Sequence, residues 1–216
     1  MNITFRKANP NDTDFLTEGI ISAEMSGGFI LPYTALFGLS ETETKKFIVD
    51  VFEEEIEDQE WFIPHFTILE VDGQRASCLS SWIECKNGIG SGVLKAQAMA
   101  WILQEKWALS KNKLELLKSL QLPRVQFAVQ LECIYTVSEY RGLGLASKLI
   151  DYCIQQHATH APKPHTAEIQ LLQNNQAALR SYTKCGFLHR GQATSSDPEI
   201  LTLLAHHTSV SLTKPL

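Results

Sequence analysis

The sequence predicts an α/β fold in one domain, and three features of the chain support this prediction. Segments with the alternation typical of strands are interleaved with segments of helical periodicity. Apolar residues make up 44% and charged residues 20% of the 216 residues, which is usual for a domain with a sizeable core. No internal repeat or low-complexity linker divides the chain. We therefore expect a single domain over residues 1–216.

The first third of the chain is predicted to form a strand, two helices and a hairpin. Alternation over Asn2–Ala8 indicates the strand, and apolar residues at helical spacing indicate helices over 14–25 and 40–56. The second helix begins with a serine and a glutamate at the spacing of a capping box. Two β-rich runs within 65–85 flank Asp72–Gly73, a dipeptide that favours a tight hairpin turn.

The middle of the chain is rich in helix-forming residues. From 92 to 122 no turn dipeptide interrupts the pattern until Lys111–Asn112, and Pro123 ends it. We expect two helices here, which form a helical insertion over about 92–122, between the third and fourth strands.

The last part of the chain alternates strands and helices. A strand is expected over 127–137, and the helix that follows a glycine-containing turn extends to about His157. The remaining predicted elements are a strand over 167–172, a helix over 174–186 and two closing strands over 187–193 and 200–208.

Composition disfavours several classes of protein. The formal net charge of −5 argues against nucleic acid as the main partner. No run of about eighteen apolar residues suggests a membrane span, and the start of the chain lacks the apolar core of a secretion signal. The five cysteines are widely spaced without a Cys-x-x-Cys pair, which favours reduced thiols in a cytoplasmic protein. His157 and His160 have metal-like spacing, but histidine also suits a helix end, and we expect no metal.

Two glycines open the helix after the fourth predicted strand, in the run Arg141-Gly142-Leu143-Gly144. Amides in the first turn of a helix lack intrahelical partners and carry the positive end of the dipole. Glycine lets the backbone bend with no Cβ in the way, so several N–H groups can converge on an anion such as pyrophosphate. A tight turn without a ligand is the alternative. A dinucleotide fingerprint fits poorly, because Ser147 stands where the third glycine would be.

A second motif follows the next strand, over Asn175–Phe187, and has the form Asn-x-x-Ala-x-x-x-Tyr-x-x-x-Gly-Phe. The run Arg141–Ala146 has the form Arg-x-x-Gly-x-Ala. With both motifs in this order, about thirty residues apart, the chain resembles the GNAT superfamily of acyl-CoA-dependent N-acyltransferases. The resemblance covers most of the chain. It departs at the helical insertion and at Ser138, where a proline is common.

The resemblance implies a mixed, centrally splayed sheet flanked by helices, with acetyl-CoA in a V-shaped gap between the fourth and fifth strands. Pantetheine amides would pair with the open strand edge, and the pyrophosphate would lie on the loop amides. The residues so implied to bind the cofactor are Ile134, Tyr135, Thr136, Arg141, Gly142, Leu143, Gly144, Leu145, Ala146, Asn175 and Tyr182.

The reaction implied by the resemblance is direct attack of an amine on the thioester. Tyr182 matches a tyrosine that can give its proton to the departing thiolate; a packed aromatic ring with its hydroxyl on the cofactor is the alternative. Glu132 is the candidate base because it has the strand parity of Ile134 and Thr136, and a salt-bridged strand residue is the alternative. Glu24 is a weaker candidate for the base.

We therefore expect a cytoplasmic N-acetyltransferase that moves the acetyl group of acetyl-CoA to an amine, either a small molecule or a protein amine, and that could form a homodimer. The alternatives are an acyl-CoA-binding regulatory or sensor protein without turnover, and a helical interaction module over Val93–Leu122. The acidic run Glu53–Glu60 is interpreted as a solvated face. His206 and His207 are expected on the last strand, beside the acceptor pocket.

Overall fold

A computed structural model describes residues 1–159 and 163–216, and within these ranges seven strands form one mixed sheet in the order β1-β2-β3-β4-β5-β7-β6. All neighbouring strands are antiparallel except β4 and β5, which are parallel. The strands are β1 (Ile3–Lys7), β2 (Phe66–Val71), β3 (Gln74–Ile83), β4 (Val129–Thr136), β5 (Thr166–Leu172), β6 (Leu188–Thr194) and β7 (Thr208–Pro215). The predicted α/β fold is confirmed.

Helices cover both faces of the sheet. The helices of the described residues are α1 (Thr13–Glu24), α2 (Pro32–Phe37), α3 (Glu41–Glu53), α4 (Ser91–Leu103), α5 (Glu105–Leu109), α6 (Lys111–Lys118), α7 (Leu145–His157) and α8 (Gln176–Lys184). Helices α1 to α6 share one hydrophobic core against one face, whereas α7 and α8 pack in a second core on the other face. The site described below lies between these two layers.

The insertion between β3 and β4 contains three helices within the described range 84–128, rather than the two predicted. The chain breaks at Gln104, whose φ of +44° cannot continue a right-handed helix, and again at Ser110. Trp107 stacks on Phe37 with ring centroids 5.7 Å apart, which docks the insertion on α2. Trp101 is exposed. The sequence analysis predicted a single break, at Lys111–Asn112, because that dipeptide is the first turn signal after residue 92.

The predicted strand over 200–208 is wrong. Its first part is a 3₁₀ turn over Pro198–Thr202, and the last strand is β7. Ile200 and Leu203, three residues apart, are both buried, as expected on one face of a helical turn. A short apolar run is compatible with such a turn as well as with a strand, so the sequence alone did not distinguish the two. His206 and His207 therefore precede β7, and their rings stack with centroids 4.5 Å apart.

The sheet splits at its parallel pair. Strands β4 and β5 pair only at Val129 with Ala167 and at Gln130 with Glu168, near the start of each strand. Strand β5 instead pairs with β7 along its whole length. From Leu131 onwards the edge of β4 is open towards β5, which forms the central gap that the resemblance implied.

Among the described residues, no helix combines the length and the apolar character needed to cross a membrane. Cys78, Cys85, Cys133, Cys153 and Cys185 all lie in the described ranges, and none of them forms a disulfide.

Candidate active site

A bulge in β4 shapes the open edge. Cys133 has a φ of +52°, and the register with β3 shifts so that two residues, Cys133 and Ile134, lie opposite Leu79. Cys133 and Tyr135 pack in the core beside α1, whereas Leu131 and Ile134 pack in the core beside α7. The alternation used to predict where Glu132 faces is therefore broken between Glu132 and Ile134, although both side chains line the gap.

A cavity of about 490 Å³, called here the loop cavity, lies beside the open edge of β4. Its walls come from β4, from the loop after α1, from the segment before α7 and from α8. The predicted cofactor residues that line it are Ile134, Tyr135, Thr136, Arg141, Ala146, Asn175 and Tyr182. The structure thus brings together residues that the two motifs and β4 supply separately.

The turn before α7 has the geometry of an anion site. Gly142 and Gly144 have φ values of +79° and +71°, and a Cβ built on either would meet no atom within 4 Å. Within the described residues, no side chain caps the first turn of α7. Positive φ explains why glycine stands here, and the open space allows an anion to approach the amides. The turn fits a pyrophosphate group.

The remaining residues of this turn have distinct surroundings. Arg141 donates from Nε to the carbonyl of Thr136 at 3.0 Å, which ties the turn to the end of β4. Leu145 is buried in the core, whereas the side chain of Leu143 is about half exposed. For both leucines, the backbone amide rather than the side chain is therefore the group available to an anion.

A second cavity of about 330 Å³, called here the carboxylate cavity, lies in the gap itself, because residues of both β4 and β5 line it. Its charged lining residues are Glu24, Glu60, Lys95, Arg124 and Glu132. The Tyr33 hydroxyl donates to Glu24 Oε1 at 2.7 Å. Ile134, Asn175 and Tyr182 line both cavities and so mark the junction between them.

Tyr182 reaches the junction from α8 and is 8% exposed. Asn175 begins this helix, and its side-chain oxygen accepts from the Ala178 amide at 3.2 Å, so Asn175 both caps α8 and lines the junction. Burial raises the pKa of the Tyr182 phenol, and the charge of Glu132 raises it further. The phenol is therefore protonated at neutral pH and can donate a proton.

Glu132 lies in the carboxylate cavity with its side chain 22% exposed. Burial raises the pKa of this carboxyl to about 7, while Arg124 opposes the rise and Glu60 adds to it. The guanidinium of Arg124 contacts Glu132 Oε1 at 2.8 Å. A carboxylate with a pKa near neutrality can accept a proton from an amine.

Sequence reasoning missed the charged groups around Glu132. Arg124 pairs with Glu60 Oε1 at 2.6 Å, and Lys95 pairs with the other carboxylate oxygen of Glu60. Glu60 is 4% exposed, so its assignment to a solvated acidic run was wrong. These residues come from segments far apart in the chain, and no spacing in the sequence signals their association. The one available signal was Arg124 itself, a charged residue in the short segment that leads into the buried strand β4.

Potential metal ligands are dispersed over the described part of the chain. Within residues 1–159 and 163–216, no group of three or more His, Cys, Asp and Glu side chains has an arrangement that could hold a metal ion. His157 lies at the end of α7, where its Nε2 is 3.0 Å from Ser81 Oγ. His160 lies outside the described residues.

A family model matches more than half of the chain. The model described as "Acetyltransferase (GNAT) family" matches residues 39–187. A comparison with curated protein sequences gives no significant match.

Three solved structures show the same fold. An N-acetyltransferase from Staphylococcus aureus Mu50 has a TM-score of 0.61 at 19% identity, covering 97% of this chain and 99% of that chain. A GNAT-family acetyltransferase from Streptococcus agalactiae 2603 has a TM-score of 0.54 at 14% identity, with 99% and 95% covered. A mutant agmatine N-acetyltransferase in its apo form has a TM-score of 0.55 at 10% identity, with 100% of each chain covered.

Proposed function

Because this chain belongs to the GNAT family of acetyltransferases, we propose that it transfers the acetyl group of acetyl-CoA to an amine that enters from the carboxylate cavity. The observation that carries the proposal is the junction of the two cavities, where Tyr182 is shared and Glu132 lies on one side only. One cavity suits the donor and the other suits the acceptor. Both substrates would therefore be bound together in a ternary complex.

The donor would be held by backbone groups more than by side chains. The open edge of β4 offers unpaired backbone N–H and C=O groups to the pantetheine amides, as an edge strand does to an added strand. The amides of the turn over Arg141–Ala146 would hold the pyrophosphate. Acetyl-CoA would supply the activated acetyl group as a thioester.

The chemistry proposed for the junction is direct transfer. The amine nitrogen attacks the thioester carbonyl carbon, the carbon–sulfur bond breaks, and the thiolate takes the proton of the Tyr182 phenol. The acetylated nitrogen then gives up its second proton, which restores the phenol. Glu132 takes a proton from the amine, so that nitrogen attacks with a free lone pair. The amides of Ile134 and Tyr135, beside the bulge, would donate to the oxygen that becomes negative.

The test is release of free CoA from acetyl-CoA in the presence of a panel of amines. The panel should contain diamines and polyamines, amino acids and peptides with a free N-terminus. It should also contain agmatine, because an agmatine N-acetyltransferase shares the fold. Acceptor-dependent release above the rate of acetyl-CoA hydrolysis is expected. Tight binding of acetyl-CoA without release for any amine would favour the regulatory or sensor alternative.

A further inference from the structure

We propose that Arg124 is a positioning residue for the reaction proposed above: it fixes the Glu132 carboxylate in the carboxylate cavity and keeps it ionised there. The inference rests on the proposed function and adds a residue that neither motif contains. It follows from how the backbone around Arg124 is held, from what its guanidinium contacts, and from the balance of charge in the cavity.

The backbone on both sides of Arg124 is anchored to the far half of the sheet. Gln170 Nε2 on β5 donates to the carbonyl of Leu122 at 3.3 Å, and Arg190 on β6 donates to the carbonyl of Pro123 at 2.9 Å. The Val125 amide donates to Glu168 Oε2 at 2.8 Å. These three hydrogen bonds hold the backbone on both sides of Arg124, so its side chain extends from a fixed position. A flexible loop could not provide such a position.

The guanidinium of Arg124 bridges several groups. One nitrogen, Nη2, lies 2.8 Å from Glu132 Oε1, and the other, Nη1, lies 2.6 Å from Glu60 Oε1. Nη1 also donates to Ser91 Oγ at 2.6 Å. The guanidinium carbon lies 5.3 Å from the centroid of the Trp82 ring. A planar fork with these contacts has one orientation, so Glu132 is held in one place.

The charges around Glu132 explain why a tethered cation is needed. Glu24 and Glu60 face it from α1 and from the segment before β2, and Glu84 lies 3.8 Å from Arg124. Lys95 faces it from α4, but this ammonium is paired with Glu60. Arg124 contacts Glu132 directly. Without Arg124, burial and the neighbouring carboxylates would favour the protonated acid, which cannot act as a base.

The experiment compares Arg124→Gln, Arg124→Lys and wild type by two measurements. The first is the carboxyl carbon titration of Glu132 in ¹³C-glutamate-labelled protein, with the signal identified by its loss in Glu132→Gln. The second is the pH profile of kcat/KM with saturating acetyl-CoA and one accepted amine. Because kcat/KM for the amine then reports groups of the acetyl-CoA complex and of the free amine, the limb due to the amine is the same in every variant.

In Arg124→Gln, the Glu132 titration and the acid limb of kcat/KM should both move to higher pH by about 1–2 units, the usual effect of losing an adjacent opposite charge. Arg124→Lys should keep both near wild type and lower kcat, because one ammonium cannot form the fork. If Arg124→Gln does not fold, the double variant Arg124→Gln/Glu60→Gln removes one charge of each sign. The acid limb of the double variant should lie above that of wild type by less than about 1–2 units, because loss of the Glu60 charge offsets part of the loss of Arg124.

Arg75→Gln is the matched control. It removes another arginine that forms a forked pair, with Asp14, and that lies away from both cavities. Its Glu132 titration and pH profile should equal those of wild type. The proposal is overturned if Arg124→Gln leaves the Glu132 titration unmoved, or if that titration moves while the acid limb does not. Absence of turnover with every amine would refute the proposed function instead, and the carbon titration would still show whether Arg124 controls Glu132.

Discussion

Tyr182, at the junction of the two cavities, and Glu132, in the carboxylate cavity, have protonation states that suit opposite tasks. Burial keeps the Tyr182 phenol protonated by raising its pKa, whereas Glu132 titrates with a pKa of about 7 because Arg124 offsets part of the cost of burial. A pair of groups whose environments separate their pKa values in this way can serve as acid and base. The assignment leads to one prediction for each residue.

Tyr182→Phe should lower kcat by about 10²-fold, the usual contribution of a positioned acid. The substitution keeps the ring that packs beside Phe187 and removes only the hydroxyl, so the affinity for acetyl-CoA should be unchanged. Steady-state turnover and calorimetric binding of acetyl-CoA together measure the two effects.

The matched control for this substitution is Tyr152→Phe. Tyr152 stacks on Phe5 at 4.3 Å and lines neither cavity, so its hydroxyl should not affect turnover. Equal loss of kcat and of acetyl-CoA affinity in Tyr182→Phe would mean that the hydroxyl binds the donor and does not deliver a proton.

Glu132→Gln should lower kcat/KM most between pH 7 and the pKa of the acceptor amine. In this window the wild-type carboxyl, with its pKa of about 7, is mostly ionised and can accept a proton. Above the pKa of the amine the lone pair is already free, so the variant should approach wild type. Below pH 7 the wild-type carboxyl is itself mostly protonated, so the difference in kcat/KM between the variant and wild type should narrow again.

The measurement is the full pH profile of both proteins with one amine of known pKa. A loss of the same size at every pH would assign Glu132 to substrate positioning, because positioning does not depend on the protonation of the amine. No loss at any pH would leave Glu132 a salt-bridge partner of Arg124 and direct attention to Glu24.

At the scale of single elements, the turn before α7 and the bulge in β4 do most to create the site. The turn presents first-turn amides with no side-chain cap from the described residues. The bulge turns Cys133 and Ile134 to different cores, within the part of β4 whose edge towards β5 is open from Leu131 onwards. Both depend on left-handed backbone, at Gly144 and at Cys133. Only the first of these stands at a residue that favours such a conformation.

Gly144→Asp should abolish binding of acetyl-CoA. The new side chain adds a Cβ and a negative charge where the structure leaves open space for an anion, and it would also strain a φ of +71°. Loss of the thermal shift caused by acetyl-CoA, with a circular dichroism spectrum like that of wild type, is the expected result.

Gly73→Asp controls for the backbone strain. Gly73 has a φ of +81° in the β2–β3 hairpin, and a Cβ there also meets no atom within 4 Å. This variant should lose similar stability and keep acetyl-CoA binding. If Gly144→Asp binds acetyl-CoA as tightly as wild type, the turn before α7 is not the pyrophosphate site.

At the scale of the whole molecule, a sheet of two halves is joined by few strand contacts. Strands β1 to β4 form one half and β5 to β7 the other, with two residue pairs between β4 and β5. A ligand held in the gap contacts both halves of the sheet. The bound complex can therefore form only when the two halves are assembled. Binding should therefore be strongly linked to folding.

Acetyl-CoA should raise the melting temperature for this reason. At one hundred times its dissociation constant the gain in free energy of unfolding is about 2.7 kcal/mol. For a chain of this size that corresponds to a shift of roughly 5–10 °C. Differential scanning fluorimetry over a range of acetyl-CoA concentrations measures it, with coenzyme A lacking the acetyl group as a second ligand. No shift at millimolar acetyl-CoA would remove the basis of the proposed function.

The sequence by itself determined the order of most strands and helices, the hairpin turn and the glycine turn before α7. These depend on residues close together in the chain: the capping box of Ser40 and Glu43 forms as predicted, and Gly142 and Gly144 take the positive φ that glycine allows. The misplaced last strand shows the limit of this reasoning, because a short apolar run fits a buried turn as well as a strand.

Only the tertiary structure decided the charged surroundings of Glu132. The direction in which its side chain faces depends on a bulge at Cys133 that no glycine in β4 marks. Its pKa depends on Arg124, Glu60 and Lys95. These groups meet because hydrophobic packing brings the insertion and the segments before β2 and β4 against one core. Local hydrogen bonds are fixed by neighbours in sequence, but burial and ion pairing depend on which distant segments the core brings together.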